Sequence, residues 1–255
     1  MKNIKQKSLE EKISLIAHWI LESKHLVAFT GAGISTASGI PDFRGPNGVW
    51  TRRDKGLPPP KIDKSWVEVK PNDGHYVLVE LQEMGLLKCL ITQNTDNLHL
   101  TSGIKPKILS ELHGNAQFME CLSCDFRATY KEAGWDRQIW GPGYRTSFIL
   151  TGQPTCPKCN GRLISTVVNF DDPLPERDFN LAKVHTGNAD VFIVVGSSLV
   201  VFPAADLPNN ALNNGAKLII INKGVTPLDD IATLKLEEDI TEILLEILAK
   251  VKEFL

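Results

Sequence analysis

Leu26-Val27-Ala28-Phe29-Thr30-Gly31-Ala32-Gly33 begins as a short apolar run and stops at glycine. A run of this length reads as a buried parallel strand feeding a tight turn. Upstream, Leu9, Ile13, Leu15, Ile16, Ile20 and Leu21 recur at mostly helical spacing and predict an amphipathic helix. Downstream, residues 38–60 are rich in Gly, Pro and charge and carry neither period, which predicts a long loop that covers something. A helix over Asp73 to Met84 and a strand over Leu87 to Thr92 follow. Regular texture returns at Arg162, with strands at Val191 to Val195 and Lys217 to Ile221 and a closing helix from about Asp239 to Phe254. Strands alternating with helices imply an α/β fold, a doubly wound, Rossmann-like parallel sheet covered on both faces.

Gly114 opens a region of different composition, in which Gly, Pro, Trp and Tyr are scattered with little apolar period. It holds Cys121-x-x-Cys124 and Cys156-x-x-Cys159, four thiols that can surround a zinc ion tetrahedrally and close its coordination sphere. The 31 residues between the pairs exceed the usual spacing of about 15 to 20 and predict an irregular excursion. A redox dithiol or a pair of disulfides is the alternative. The fifth cysteine, Cys89, lies in an apolar stretch and reads as a small core residue. The expected organisation is a nucleotide-type domain over 1–115 and 163–255, with the covering loop at about 38–60, interrupted by a zinc-binding insertion over 116–162.

The 255 residues suffice for that arrangement, and 42% hydrophobic with 23% charged residues is ordinary for a globular chain. No segment approaches the roughly 20 apolar residues that span a bilayer. Met1 to Lys7 is basic but leads into polar Ser8 to Lys12, not into an apolar signal core, so the cytoplasm is the expected compartment, or the nucleus of a eukaryotic host. A net charge of −2 gives no global attraction to nucleic acid or chromatin, and Arg52, Arg53 and Lys55 read as a solvated loop. The oligomeric state is not legible.

Gly31-Ala32-Gly33 after a strand supplies half of a dinucleotide fingerprint, since glycine permits the turn and a close backbone approach to pyrophosphate. A glycine-rich turn without a ligand would look the same. Thr36 stands where a third glycine would sit, and Asp54 follows no apolar strand that would carry the ribose-binding acid of a dehydrogenase. Hydride transfer is therefore disfavoured.

The longer stretch Gly31-Ala32-Gly33-Ile34-Ser35-Thr36-Ala37-Ser38-Gly39-Ile40-Pro41-Asp42-Phe43-Arg44-Gly45 resembles the NAD-binding signature of the sirtuin (Sir2) family. Gln93-Asn94-Thr95-Asp96, His113-Gly114, the paired cysteines and Gly196-Ser197-Ser198-Leu199 follow in the family's order, and the resemblance covers about residues 10 to 250. Gly45 to Thr51, the short segment before Pro71 and Asp171 to Arg177 are most similar to the sirtuin-6 and sirtuin-7 branch.

The resemblance implies an NAD-dependent deacylase acting on acyl-lysine in proteins, with NAD as co-substrate and zinc as a structural ion. It implies that His113 is the general base, the neutral imidazole being a proton acceptor near physiological pH. The acyl oxygen would attack the anomeric carbon of the nicotinamide ribose to give an alkylimidate and nicotinamide. His113 would then activate a ribose hydroxyl, and water would release lysine and O-acyl-ADP-ribose. Asn94 and Asp96 would order the ribose and carboxamide, with Gln93 beside them and Thr95 acting through its backbone. Gly31, Ala32, Gly33, Ser35 and Thr36 would cradle the dinucleotide. Asp42, Phe43, Arg44 and Trp50 would contact it from the covering loop, Phe43 shielding the ribose from water. Gly196, Ser197, Ser198 and Asn222 follow strands and suit the adenosine half. Ile240 matches a position that contacts adenine, and core packing explains it equally well.

On the substrate side, Val167-Val168-Asn169-Phe170-Asp171-Asp172 stands where many sirtuins pair the acyl-peptide along a Phe-Gly-Glu segment, with Asp171 replacing the glycine. Residues 50–75 contain no tyrosine, so the Tyr-x-x-Arg pair of relatives preferring acidic acyl groups is not supported. Protein mono-ADP-ribosyl transfer and a non-enzymatic NAD-sensing module remain as rival readings.

Overall fold

The structure is a computed structural model that describes residue 4 and residues 6–61 and 68–255. Much of the basic stretch from Met1 to Lys7 and residues 62–67, within the segment before Pro71, lie outside the described residues.

The chain begins with α1 (Leu9–Glu22) because Ser8 and Glu11 close a reciprocal cap: the Glu11 amide donates to Ser8 Oγ at 3.2 Å and the Ser8 amide to Glu11 Oε2 at 2.8 Å. Strand β1 (Leu26–Thr30) follows and is buried throughout. The large sheet then gathers β2 (Leu87–Thr92) and β3 (Leu109–Glu111), and later β7 (Val191–Val195), β8 (Lys217–Ile221) and β9 (Leu234–Leu236). The order is β3-β2-β1-β7-β8-β9, every pairing parallel. The chain winds outward from β1 through β2 and β3, then returns to β1's other edge with β7. That reversal makes the β1–β7 crevice the topological switch point, where open α/β sheets place ligands. Register sharpens the point: Thr30 lies opposite both Thr92 and Val195, and Val195 opposite Ile221. Four central strands therefore end level, and Gly31, Gln93, Gly196 and Asn222 leave from one ledge.

Side chains alternate across β1. Leu26 and Ala28 join the layer formed with α1, α3 (Asp73–Glu83) and α8 (Ile240–Phe254), whereas Val27 and Phe29 face the layer of α6 (Glu176–Asn188) and α7 (Asp206–Asn213). Cys89 lies in the second layer with no exposure, and burial pushes its thiol up to about 12, as expected of an inert core residue.

A second, antiparallel sheet of order β5-β4-β6 is built from β4 (Phe118–Cys121), β5 (Arg127–Thr129) and β6 (Leu163–Ser165). Its own core contains Met119, Trp135, Cys156 and Leu163. The long excursion between the cysteine pairs holds, as regular elements, β5 and the short α5 (Arg137–Trp140). An ion pair ties the two sheets: Arg127 Nη2 lies 2.6 Å from Glu111 Oε2, and Asn115 Nδ2 donates to Glu111 Oε1 at 2.5 Å. Burial raises the Glu111 carboxyl, while Asn115 and Arg127 oppose that rise.

The expected loop over 38–60 is not wholly irregular: α2 (Val49–Asp54) forms within it. The Val49 and Trp50 amides donate to Asp42 and Phe43 carbonyls at 2.9 and 2.8 Å, which fixes the first turn without any apolar period. A further short helix, α4 (Leu98–Ser102), follows the β2 loop.

Phe29 has no exposed surface and its ring lies 6.2 Å from that of Phe192. Phe29→Ala is expected to cost about 3–5 kcal/mol in urea unfolding, the range for a buried aromatic truncation. A loss under about 1 kcal/mol would mean that this layer is loosely packed.

Candidate functional site

Two loops meet at the switch point with backbone against backbone. The Gly31 amide donates to Val195 O at 3.0 Å and the Gly33 amide to Gly196 O at 2.9 Å. A Cβ on Gly31 would lie 2.7 Å from Gly196 O, and one on Gly33 would lie 2.6 Å from Gly196 Cα. Gly196 itself has φ +65° and would press a Cβ against Ile34 N at 2.6 Å. All three glycines are therefore required by this mutual approach. The sequence suggested only a ligand's approach.

The loop continues as a 3-10 helix, Ala32–Ser38, with Thr36 Oγ1 donating to Gly33 O at 2.9 Å. Ser35 is buried and central to a polar chain. Asn94 Nδ2 donates to Gly31 O at 3.2 Å and to Ser35 Oγ at 3.1 Å, and Ser35 Oγ donates to Asp96 Oδ2 at 2.7 Å. The Leu98 amide holds the other Asp96 oxygen at 3.0 Å. Burial raises the Asp96 carboxyl, and these hydrogen bonds oppose the rise. Gln93 Nε2 donates to Ser197 Oγ at 2.7 Å, bridging the loops after β2 and β7. Thr95 offers its carbonyl to the Ala116 amide at 2.8 Å, so its main chain is engaged.

His113 Nδ1 lies 3.0 Å from Gln93 O. A carbonyl only accepts, so Nδ1 carries the proton and Nε2 keeps a free lone pair. Burial lowers the imidazole's pKa from its ordinary value, against the opposing effect of that hydrogen bond. The ring is thus a neutral base near neutral pH. Gly114, at φ +73°, allows this placement, because a Cβ there would sit 1.7 Å from Thr166 O.

The covering loop closes one side. Asp42 Oδ1 accepts from the Gly45 amide at 3.0 Å and so shapes the loop. The Phe43 and Trp50 rings stack at 5.8 Å, with the Arg53 guanidinium 4.5 Å from the Trp50 ring centre. Arg53 also pairs with Asp54 at 2.8 Å, and Arg52 Nε donates to Pro58 O at 2.7 Å, so these two members of the basic cluster are engaged in α2 and the turn after it.

The result is one cleft of ≈ 1390 Å³. It exceeds the span of about 300–1,000 Å³ for small-ligand pockets and leaves room for a dinucleotide and a second substrate. Its walls include Gly31, Ala32, Gly33, Ser35, Thr36, Asp42, Phe43, Arg44, Trp50, Gln93, Asn94, Asp96 and His113, together with Gly196, Ser197, Ser198, Asn222 and Ile240. Every residue singled out for NAD therefore reaches the same cavity. Asn222 turns its Nδ2 onto Gly224 O at 2.9 Å, and Ile240 is at once a core residue and part of the wall.

Sequence reading missed Thr92, whose Oγ1 accepts from the Asn94 amide at 3.0 Å. It also missed Asn72, whose Nδ2 donates to Ile34 O at 2.8 Å and to Ser38 Oγ at 3.0 Å. The legible signal for Asn72 was its place as a helix cap three residues before His75. Arg137 and Gln117 line the cleft from the cysteine-bearing module.

The thiols of Cys121, Cys124, Cys156 and Cys159 all lie within 4.8 Å of one another, none in a disulfide. Sγ separations of 3.5 Å for Cys121–Cys159 and 3.6 Å for Cys124–Cys156 approach the edge of about 3.8 Å that zinc–sulfur bonds of about 2.3 Å give a tetrahedron. Ser123 and Lys158 amides donate to Cys121 and Cys156 sulfurs at 3.3 and 3.4 Å, which stabilises thiolates. Gly161 is needed there, since its Cβ would meet Cys121 Sγ at 2.8 Å. The donor set fits a structural metal consistent with zinc. We expect about one zinc per chain by elemental analysis, and Cys156→Ala should abolish it and lower the thermal midpoint. Full stability after chelation would contradict the structural role.

The sequence profile of the Sir2 family matches residues 31–65 and 59–203. The chain is 41% identical over 87% of its length to the NAD-dependent protein deacetylase SRT1 of Arabidopsis thaliana, spanning 45% of that protein. It is 37% identical over 92% of its length to NAD-dependent protein deacetylase 1 of Bradyrhizobium diazoefficiens, spanning 95% of it. A solved Sir2 structure with a p53 peptide and NAD+ superposes with TM-score 0.73 at 34% identity, covering 94% of this chain and 99% of that one. A second, Sir2Tm bound to a propionylated peptide, gives 0.71 at 35% identity over 94% and 98%. With this glycine interlock, this polar chain and a cysteine tetrad in one molecule, the chain belongs to the Sir2 family, the sirtuins.

Proposed function

We propose that this protein is an NAD-dependent protein-lysine deacylase, yielding nicotinamide, O-acyl-ADP-ribose and free lysine. One observation carries the reading: the Asn94–Ser35–Asp96 chain and the proton-free Nε2 of His113 face the same cleft, beside the interlocked glycine loops. Relatives named as NAD-dependent deacetylases and deacylases support it, as do Sir2 structures holding acetylated and propionylated peptides.

In this reading NAD supplies an activated glycosidic bond whose ADP-ribosyl group is passed to the acyl oxygen. Gly31 to Thr36 hold the dinucleotide, with Gly196, Ser197, Ser198, Asn222 and Ile240 on its adenosine side. Asn94 and Asp96 order the ribose and carboxamide, and Gln93 keeps the neighbouring loop in place. Phe43, supported by Trp50, excludes water, while Arg44 and Asp42 bound the covering loop. His113 Nε2 takes the proton of a ribose hydroxyl. Zinc at the four cysteines acts on structure alone, because four protein ligands leave no open position.

The peptide would enter beside Val168, Asn169 and Phe170, which line the cleft. Asp171 there holds φ +71°, a conformation that favours glycine, and Asp172 Oδ2 caps the turn by accepting from the Asn169 amide at 3.1 Å. Such a self-capped loop favours a second reading, protein mono-ADP-ribosyl transfer, since it competes with strand pairing by a peptide. Within the family, Gly45 to Thr51 and Asp171 to Arg177 support a place near the sirtuin-6 and sirtuin-7 branch. Residues 116–162 are proposed as the inserted zinc module, with its far boundary moved past β6, because Leu163–Ser165 pair with β4 and not with the large sheet. The cytoplasm is the proposed compartment; among the described residues no helix is long and apolar enough to cross a membrane.

Incubation with NAD and acetylated or longer-chain acyl-lysine peptides should give deacylated peptide and O-acyl-ADP-ribose, and His113→Ala should lower the rate by at least about 10²-fold. Because the His113 pKa is lowered, the base form persists as pH falls through the ordinary histidine range, so wild-type kcat/KM should drop only below about pH 6.5. Label passing from NAD to protein with no peptide deacylation would favour the second reading. Full activity in His113→Ala would remove the general-base assignment.

A further inference from the structure

Two buried histidines, His75 on α3 and His99 on α4, lie against each other outside the cleft. Both are almost fully buried, their rings are 5.0 Å apart, and each leaves one ring nitrogen, His75 Nε2 and His99 Nδ1, without a partner. Orphaned buried nitrogens are costly, so their protonation states must make sense together.

The neighbouring donors and acceptors fix those states. The Asn72 amide, which can only donate, points at His75 Nδ1 at 3.4 Å, so neutral His75 carries its proton on Nε2. On the other ring, His99 Nε2 lies 2.9 Å from Thr30 Oγ1, and Thr30 Oγ1 donates to Thr92 Oγ1 at 2.8 Å. With the Thr30 proton committed to Thr92, Nε2 of His99 must be the donor, leaving Nδ1 as acceptor. The reverse tautomer would set two N–H groups against each other across the ring pair. Burial keeps both rings neutral, holding His75 at about 4 and His99 well below the ordinary histidine value. The separation suits one hydrogen bond: the His25–His185 pair has the same 5.0 Å between ring centres and a 2.9 Å nitrogen contact. His75 Nε2 and His99 Nδ1 are unpartnered in this structure, so their pairing belongs to the inference itself.

We infer that His75, His99, Thr30 and Thr92 form a buried hydrogen-bond relay that ends at Thr92 Oγ1, the acceptor that holds the Asn94 amide and sets that residue's position, which makes His99 a positioning residue for the NAD site. The relay begins at Asn72, whose side chain holds the 3-10 segment through Ile34 O and Ser38 Oγ. It ends at Thr92 Oγ1, which accepts from the Asn94 amide. Both ends therefore converge on the Asn94–Ser35 contact. A change at His99 should reach NAD through Asn94 while leaving the peptide side untouched. This inference rests on the deacylase reading for its kinetic readout only.

The test combines spectroscopy and kinetics. Long-range proton–nitrogen NMR of the wild type should find His75 and His99 both as the Nε2–H tautomer at neutral pH; an Nδ1–H His99 would overturn the relay whatever the enzyme does. His99→Leu should raise KM for NAD about tenfold with KM for acyl-peptide changed less than about twofold, whereas His99→Gln, which restores a donor toward Thr30, should recover most of the loss. Thr30→Val added to His99→Leu should bring little further change, since both break one chain. Equal effects of Leu and Gln, or an unaltered KM for NAD, would overturn the positioning role. If the wild type shows no NAD-dependent deacylation, the functional reading fails while the tautomers still decide the relay.

Discussion

The structure depends on a contact between main chains. Gly33 and Gly196, at the carboxyl ends of neighbouring parallel strands, approach so closely that neither tolerates a Cβ. The in-register ends of β1, β2, β7 and β8 bring the two loops to one level, and the absent side chains let them interlock. The interlock leaves the Gly31 carbonyl and Ser35 hydroxyl facing Asn94, from which the polar chain to Asp96 is built. Without it the same residues would lie on two independent loops.

Around this point the chain buries polar groups and satisfies them locally. Asn94 and Ser35 are buried yet hydrogen-bonded, Gln93 bridges to Ser197, and His113 is held in one tautomer by a carbonyl. Pre-oriented groups of this kind need little rearrangement when a substrate arrives. The second sheet contributes by position: Glu111, at the end of β3, is tied to Arg127 in β5, so the metal-bearing module is braced against the strand that leads to His113.

The core strands were legible because Leu26 to Phe29, Val191 to Val195 and Leu218 to Ile221 are continuous apolar runs, as expected of doubly covered parallel strands. The cysteine tetrad was legible from spacing. Short Leu109–Glu111 and Leu234–Leu236 carry too few residues for any period. Helix α6 buries Asp178, Ala182 and Thr186, a polar and small-residue face that no hydrophobic pattern announces. Asp178 is buried because its Oδ1 accepts from the Glu111 amide at 3.0 Å, a long-range partner invisible in the chain. The role of the glycines was half legible: the turn could be read, but their closeness to Gly196, over 160 residues away, required the fold.

The most direct test of this account is calorimetric titration of NAD into Gly196→Ala, with far-ultraviolet dichroism and zinc content measured on the same sample. The interlock predicts affinity reduced by at least about tenfold, with the zinc module and secondary structure retained, because one methyl group forces the two loops apart. Unchanged affinity in a folded Gly196→Ala protein would contradict the claim that this backbone contact positions the site.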